Sequence, residues 1–251
     1  MNNDLYHFIA HRNLPFANPL GEASIARLIE LLDLPKSAMV ADFGAGACEL
    51  PIRLVERYAA RVAAVELSPR MAALARERIH TRLVRSNLPG GVTVHEGDAG
   101  AFRVTMEPAS FDLTICIGSA PSLGGYDNAL AVLKRLTRPG GRVLIGELFW
   151  EKPPKPDYLL ATGYSSSDFN THSHNVSLGV DIGLIPLWTI TATQREWDEY
   201  ECAQHRAIED SAQSNPDFPK EMLEHSRQWR NAYWRWGRDT LGFGLYLFGV
   251  Q

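Results

Sequence analysis

The segment Val40-Ala41-Asp42-Phe43-Gly44-Ala45-Gly46-Ala47-Cys48 constrains the fold more than any other part of the chain. Small and apolar residues run into an acid, and two glycines then alternate with small side chains. A buried strand ending in such a turn lets backbone amides approach a ligand closely, because glycine has no Cβ in the way. Glu49–Tyr58 follows with helical apolar spacing and a proline tolerable in a first turn. Strand, glycine turn and helix N-terminus together make a nucleotide-type binding corner.

The alternation continues from about Val40 to Phe149. Strand patterns fall at Met39–Phe43, Val62–Glu66, Val92–Glu96, Phe111–Ile117 and Arg142–Leu148, with helical patterns at Glu49–Tyr58, Pro69–Arg85 and Asp127–Leu136. Short apolar strands separated by helices predict a parallel sheet covered on both faces. Its crossovers are right-handed, and ligands bind at the carboxyl ends of the strands where strand order reverses. Glu22–Leu32 reads as an amphipathic helix before this core. After it, Lys152–Pro156 breaks regular structure and Thr162–Asn175 is a polar stretch. Leu184–Thr193 and Phe243–Val250 complete seven strands, and the helical patterns Glu196–Ser211 and Pro219–Trp236 form an insertion between them. That insertion is rich in Trp and Tyr, which suits a roof over a small-molecule site, or else a subunit interface. The whole reads as one α/β domain, with residues 1–35 as N-terminal lid and helix, 36–150 as binding core and 151–251 as substrate side.

Composition narrows the partners. The chain has 251 residues and a net charge of −4, with no Lys/Arg block dense enough for nucleic acid. Its longest apolar runs fall far short of the ~20 residues that span a bilayer. Met1-Asn2-Asn3-Asp4 lacks the basic and apolar regions of a signal peptide. Cys48, Cys116 and Cys202 have no metal spacing and are expected to be reduced thiols in a cytoplasmic protein, a monomer or homodimer. His172-x-His174 reads as a solvated pair rather than metal ligands, so no metal is expected.

Four elements with chemical potential follow in order. Asp42-x-Gly44-x-Gly46 comes first. Glu66 ends the next strand, where an ionised carboxylate can accept from two vicinal ribose hydroxyls. Glu96-Gly97-Asp98-Ala99 ends the third strand, where an acid can accept from an exocyclic amine; Asp98 also fits as the N-cap of a short helix. Phe111-Asp112-Leu113-Thr114-Ile115-Cys116-Ile117-Gly118 and Leu136-Thr137-Arg138-Pro139-Gly140-Gly141-Arg142-Val143-Leu144 close the series. With these motifs the chain resembles the class I S-adenosylmethionine (SAM)-dependent methyltransferases over roughly Glu22–Leu148. Glu147-Leu148-Phe149-Trp150, Glu196-Trp197-Asp198-x-Tyr200 and Gly242-Phe243-Gly244-Leu245-Tyr246 are similar to a bacterial small-molecule subgroup without a settled substrate.

The resemblance implies a Rossmann-like, seven-stranded, mostly parallel, doubly wound sheet and SAM as cofactor. It implies that Asp42, Gly44 and Gly46 hold the methionine end, Glu66 the ribose, and Asp98 and Ala99 the adenine, with Ala45, Leu67, Ile117 and Gly118 as further cofactor-binding residues. Three acids around a sulfonium are attractive, whereas a pyrophosphate beside them would be repelled. Glu49 also occupies the position where a dinucleotide fingerprint needs its third glycine. The expected reaction is methyl transfer to an oxygen or nitrogen of a small molecule. SAM cyclisation or lysis, an NAD-dependent oxidoreductase and a non-catalytic SAM binder are the alternatives. Ile117-Gly118-Ser119-Ala120-Pro121-Ser122 lacks both the Asn/Asp-Pro-Pro-aromatic tetrad of base-amine methyltransferases and the acid of metal-dependent catechol-type enzymes. Glu147, Tyr164 and His172 are the catalytic candidates, and Ser119, Trp150, His174, Trp197 and Tyr200 the substrate-facing ones. Trp197 and Tyr200 share a helical face, which suits either core packing or a planar or cationic ligand. His11–Pro19, aromatic and proline-marked, is expected to fold over the cofactor as a lid, or to pack as a plain arm.

Overall fold

Val40, Ala41 and Phe43 have no exposed surface, and a strand buried on both sides needs strands at both edges and helices on both faces. A computed structural model, which describes residues 1–86 and 88–251, shows that arrangement. Its strands are β1 (Met39–Phe43), β2 (Arg61–Glu66), β3 (Gly91–Glu96), β4 (Phe111–Ile117), β5 (Thr137–Trp150), β6 (Leu184–Thr191) and β7 (Leu241–Val250). They form one sheet in the order β3-β2-β1-β4-β5-β7-β6. The first five pair in parallel, and β7 runs antiparallel to both β5 and β6. The chain steps outward from β1 to β3 and then returns to β4 on the other side. The end of β1 is therefore the switch point at which such sheets bind ligands.

The helices are α1 (Asn3–His11), α2 (Glu22–Leu32), α3 (Glu49–Tyr58), α4 (Pro69–Ile79), α5 (Ala99–Phe102), α6 (Tyr126–Leu136), α7 (Pro156–Thr162), α8 (His172–Asp181), α9 (Gln194–Ser214) and α10 (Lys220–Arg235). Period-two alternation along β1 splits the core. Val40 joins Ile25, Leu28, Leu54 and Trp197 on one face. Ala41 and Phe43 join Leu130, Leu133 and Phe248 on the other. Each fully buried Leu or Phe contributes about 1.5–3 kcal/mol through water exclusion. Both faces therefore stabilise the sheet.

Besides shifts of one to three residues at other ends, three expected boundaries differ in kind. The helix from Pro69 ends its α-helical run at Ile79 and continues as a single wider turn over His80–Val84. β5 begins at Thr137 rather than Arg142, because Thr137 pairs with Phe111 before a register shift carries the chain through Pro139-Gly140-Gly141. The polar stretch 162–175 contains the start of α8, which Thr171 caps by accepting the His174 N–H. Only Asn175 and Gly179 of that helix are buried, so its apolar face is too narrow to be read from spacing.

Helix α9 opens with a capping box in which Thr193 and Glu196 satisfy each other's backbone. With α10 it forms the insertion between β6 and β7. Helix α1 rests on it through Ile9, Ala10 and Ile208, and reaches α4 through Asp4, whose carboxylate accepts from Ser68 and pairs with Arg70. Among the described residues no helix is long and apolar enough to cross a membrane.

Candidate small-molecule site

Gly44 and Gly46 adopt φ of +80° and +55°, the left-handed region that glycine enters without steric cost. Their turn is tied to the neighbouring strand. The Gly44 and Ala45 N–H groups donate to the Val65 carbonyl at 2.9 and 3.0 Å. Gly46 N–H donates to Glu66 Oε2 and Ser68 N–H to Glu66 Oε1, each at 2.8 Å. These amides are therefore committed to the protein, and the corner is no phosphate-binding nest of free N–H groups. It presents carboxylate oxygens instead. Close packing completes the floor: a Cβ on Gly44 would stand 2.0 Å from Ser119 Oγ.

Asp42 is only 4% exposed, and no described residue donates a hydrogen bond to its side chain. Burial, reinforced by the Glu66 charge, pushes its carboxyl up to about 7. Glu49, at the start of α3, is buried as well. Burial alone would raise it, but hydrogen bonds from Arg82 and Arg53 carry it below the ordinary carboxylate range. A negative charge thus stands where a helix N-terminus would otherwise attract phosphate.

Three adjoining cavities open at this end of the sheet. One of about 260 Å³ is lined by Gly44, Gly46, Glu66, Leu67, Asp98, Ala99, Ile117, Gly118 and Ser119. A smaller one, about 60 Å³, adds Asp42, Ala45 and Glu49. Among the described residues no Lys or Arg lines either. The third, about 320 Å³, shares Gly118 with the first and lies under the roof, lined by Glu147, Tyr164, Trp197 and Tyr200. Glu147, at the end of β5, is pushed up to about 6 by burial, an effect its bonds from the Leu148 and Ala120 N–H groups only partly offset.

All ten residues expected to meet the cofactor line the first two cavities. Asp98 also caps α5, accepting the Ala101 N–H at 2.7 Å, so both roles foreseen for it are compatible. Three expected residues lie elsewhere. Trp150 is buried among Tyr158, Tyr164 and Phe169, its indole N–H given to the Ser166 carbonyl. His172 meets Phe149 edge to face and lies tilted against Tyr246, away from the cavities, and His174 is exposed on the first turn of α8. The polar sequence predicts a loop over the site for both histidines; the capped helix turns them away instead.

The structure adds Tyr6, His7, Glu201 and His225 to the third cavity, beside Trp229 from the Trp- and Tyr-rich insertion and His11 from the segment expected as a lid. Glu201 was legible in principle, since Trp197, Tyr200 and Glu201 follow helical spacing along one face. Helix α1 was not singled out, although Asn2 caps it by accepting the Leu5 N–H. His11 is held neutral, its imidazole depressed to about 3 by burial and by His7. Its Nε2 lies 2.9 Å from Tyr200 Oη, which joins α1 to the roof. Among the described residues no group of three or more His, Cys, Asp or Glu side chains could hold a metal ion.

Residues 40–141, the stretch that carries the floor and its acids, match the family model of the methyltransferase domain. That core is therefore similar to a methyltransferase domain. The match ends near the bulge of β5, and resemblance to whole proteins extends it. An uncharacterized Escherichia coli (strain K12) protein, YjhP, is 27% identical over 233 residues, 91% of each chain. Two solved structures, SAM-dependent methyltransferases from Geobacter sulfurreducens and Thiobacillus denitrificans, both in complex with S-adenosylhomocysteine, are each 24% identical. Their TM-scores are 0.88 and 0.84, with 98% and 97% of both chains covered. The chain thus shares its fold with these proteins across the roof and α1 as well as the core.

Proposed function

We propose that this protein binds S-adenosylmethionine and transfers its methyl group to an oxygen or nitrogen of a small molecule. The observation that carries the reading is a carboxylate-lined, Lys- and Arg-free cleft at the switch point of a methyltransferase domain. The cleft fits the cofactor on its own chemistry. Asp42 is a buried carboxylate with no donor, placed to meet an α-ammonium. Glu66 uses its oxygens on two amides, yet each keeps lone-pair capacity for a ribose hydroxyl. Asp98 and the Ala99 amide stand where an adenine edge can be read. A dinucleotide is disfavoured, because the turn amides are already occupied and Glu49 faces the place of a pyrophosphate.

When bound, S-adenosylmethionine supplies an electrophilic methyl group already attached to a good leaving group. The chain's own contribution is alignment and water exclusion. Gly118 borders both large cavities, and its N–H bonds the Gly146 carbonyl at 2.8 Å, so the acceptor meets the cofactor beside Glu147. Held near 6, Glu147 is largely ionised at neutral pH and is poised to take the acceptor's proton. α1 and the Pro15–Pro19 segment close the mouth.

Incubating the protein with S-adenosylmethionine and a panel of small alcohols, phenols and amines tests the reading. Mass spectrometry should find S-adenosylhomocysteine together with a methylated acceptor. Methylthioadenosine as the nucleoside product would instead mean attack within the cofactor, and no turnover at all would leave a binding protein.

A further inference from the structure

We infer that the 320 Å³ cavity under the roof takes an organic cation, its positive group seated against Glu201 among Tyr164, Trp197, Tyr200 and Trp229. This deepens the methyltransferase reading by naming a substrate class, and it rests on that reading.

Glu201 carries the inference. It is 4% exposed, and among the described residues its Oε2 has no hydrogen-bond partner while Oε1 is met only by the Trp229 indole N–H at 3.5 Å. His205 Nε2 lies 3.4 Å from Oε2 but without hydrogen-bond alignment, and its other nitrogen faces Ser226. A buried carboxylate left with so few donors is costly unless a partner arrives. Among the described residues no Lys or Arg lines the cavity to supply one. The histidines facing it bring little charge, since burial depresses His7, His11 and His225. The phenols of Tyr164 and Tyr200 are raised first by burial and then by the Glu201 charge, which places that charge within reach of both rings.

The rings are the second observation. Tyr164 meets Trp229 edge to face at 5.7 Å between centroids, and Trp197 meets Tyr200 the same way at 6.2 Å. Walls of Trp and Tyr around one carboxylate attract a cation through ring quadrupole and charge together. An anionic ligand would face Glu147 and Glu201 with no counter-charge. The two acids divide the work: Glu147 stands beside Gly118 at the cofactor end, and Glu201 belongs to the roof. A bound molecule is therefore anchored by its cationic group and offers its nucleophile to the other end.

The test uses calorimetry on protein saturated with S-adenosylhomocysteine. Two probes of equal shape are titrated, the (2-hydroxyethyl)trimethylammonium ion and its uncharged isostere 3,3-dimethylbutan-1-ol. The cation should bind at least about tenfold more tightly. Glu201→Gln should bring the two within about twofold while leaving S-adenosylhomocysteine affinity unchanged. Trp229→Leu, which removes a ring and leaves the carboxylate, should weaken the cation and spare the alcohol, and it serves if Glu201→Gln does not fold. Equal affinity for the two probes, no cation binding, or a preference that survives Glu201→Gln would overturn the inference. The nucleoside titration reads the cofactor separately. If it fails, the same probes on the unliganded protein still report on the cavity.

Discussion

The buried Asp42 gives a pH dependence that can be worked out in advance. Its carboxyl rises from 3.8 to about 7, a change of about three, or roughly 4 kcal/mol against the charged form. The folded state therefore binds more protons than the unfolded one between about pH 4 and pH 7. Stability from this group is fully present below pH 4 and is lost as pH rises through 7. A ligand ammonium beside Asp42 reverses the preference and pulls the carboxyl back down. Binding below pH 7 must then release a proton, and affinity for S-adenosylhomocysteine should be about tenfold weaker at pH 6 than at pH 8. Calorimetry in buffers of different ionisation enthalpy measures both the affinity and the proton. Asp42→Asn isolates the source from Glu66, His7 and the other groups lining the cleft. It should flatten the profile, weaken binding at pH 8, and raise the unliganded melting temperature there. A flat wild-type profile without proton release, or unchanged binding by Asp42→Asn, would refute the reasoning.

Further outcomes follow from the same geometry. Glu66→Gln turns one carboxylate oxygen into a donor facing an amide N–H and removes a charged acceptor from the ribose. S-adenosylhomocysteine affinity should fall by about 10- to 100-fold, and calorimetry would show it. Gly44→Ala forces a Cβ toward Ser119 at a left-handed position, so the protein should lose about 1–3 kcal/mol in denaturant unfolding. The acid limb of the methyl-transfer rate should lie near pH 6 and disappear in Glu147→Gln, measured on any acceptor the panel yields. Trypsin should cut at exposed Arg12 more slowly once S-adenosylhomocysteine is bound, because α1 and the following loop line all three cavities; equal rates would mark a fixed arm.

The sheet was legible because its strands are buried on both faces. Val40–Phe43 and Phe111–Ile117 read as continuous apolar runs, and glycines sit where the chain must turn sharply at β1. Helices α2 and α3 kept the same ends in sequence and structure, since their apolar stripes are complete. Helix α8 has almost no stripe, so Thr162–Asn175 read as a loop, and His172 and His174 were drawn toward the site by that error. Trp150 shows a different limit: strand position placed it at the cleft end, but pleat alternation turns it into a ring cluster behind. Helical spacing puts Glu201 on the face of Trp197 and Tyr200, but Tyr6 joins the site only because α1 lies against the roof, a long-range fact that local spacing does not carry. The turn amides were expected to face a ligand. Instead they bind Val65 and Glu66, which only the pairing of β1 with β2 reveals.

A single calorimetric comparison bears most directly on the central claim. S-adenosylhomocysteine, S-adenosylmethionine and NAD are titrated into the purified protein under one set of conditions. The two sulfur nucleosides should bind with one site each and the dinucleotide should give no heat. Binding of NAD with silence from both nucleosides would contradict the account, because phosphate would then be settling among Asp42, Glu49 and Glu66.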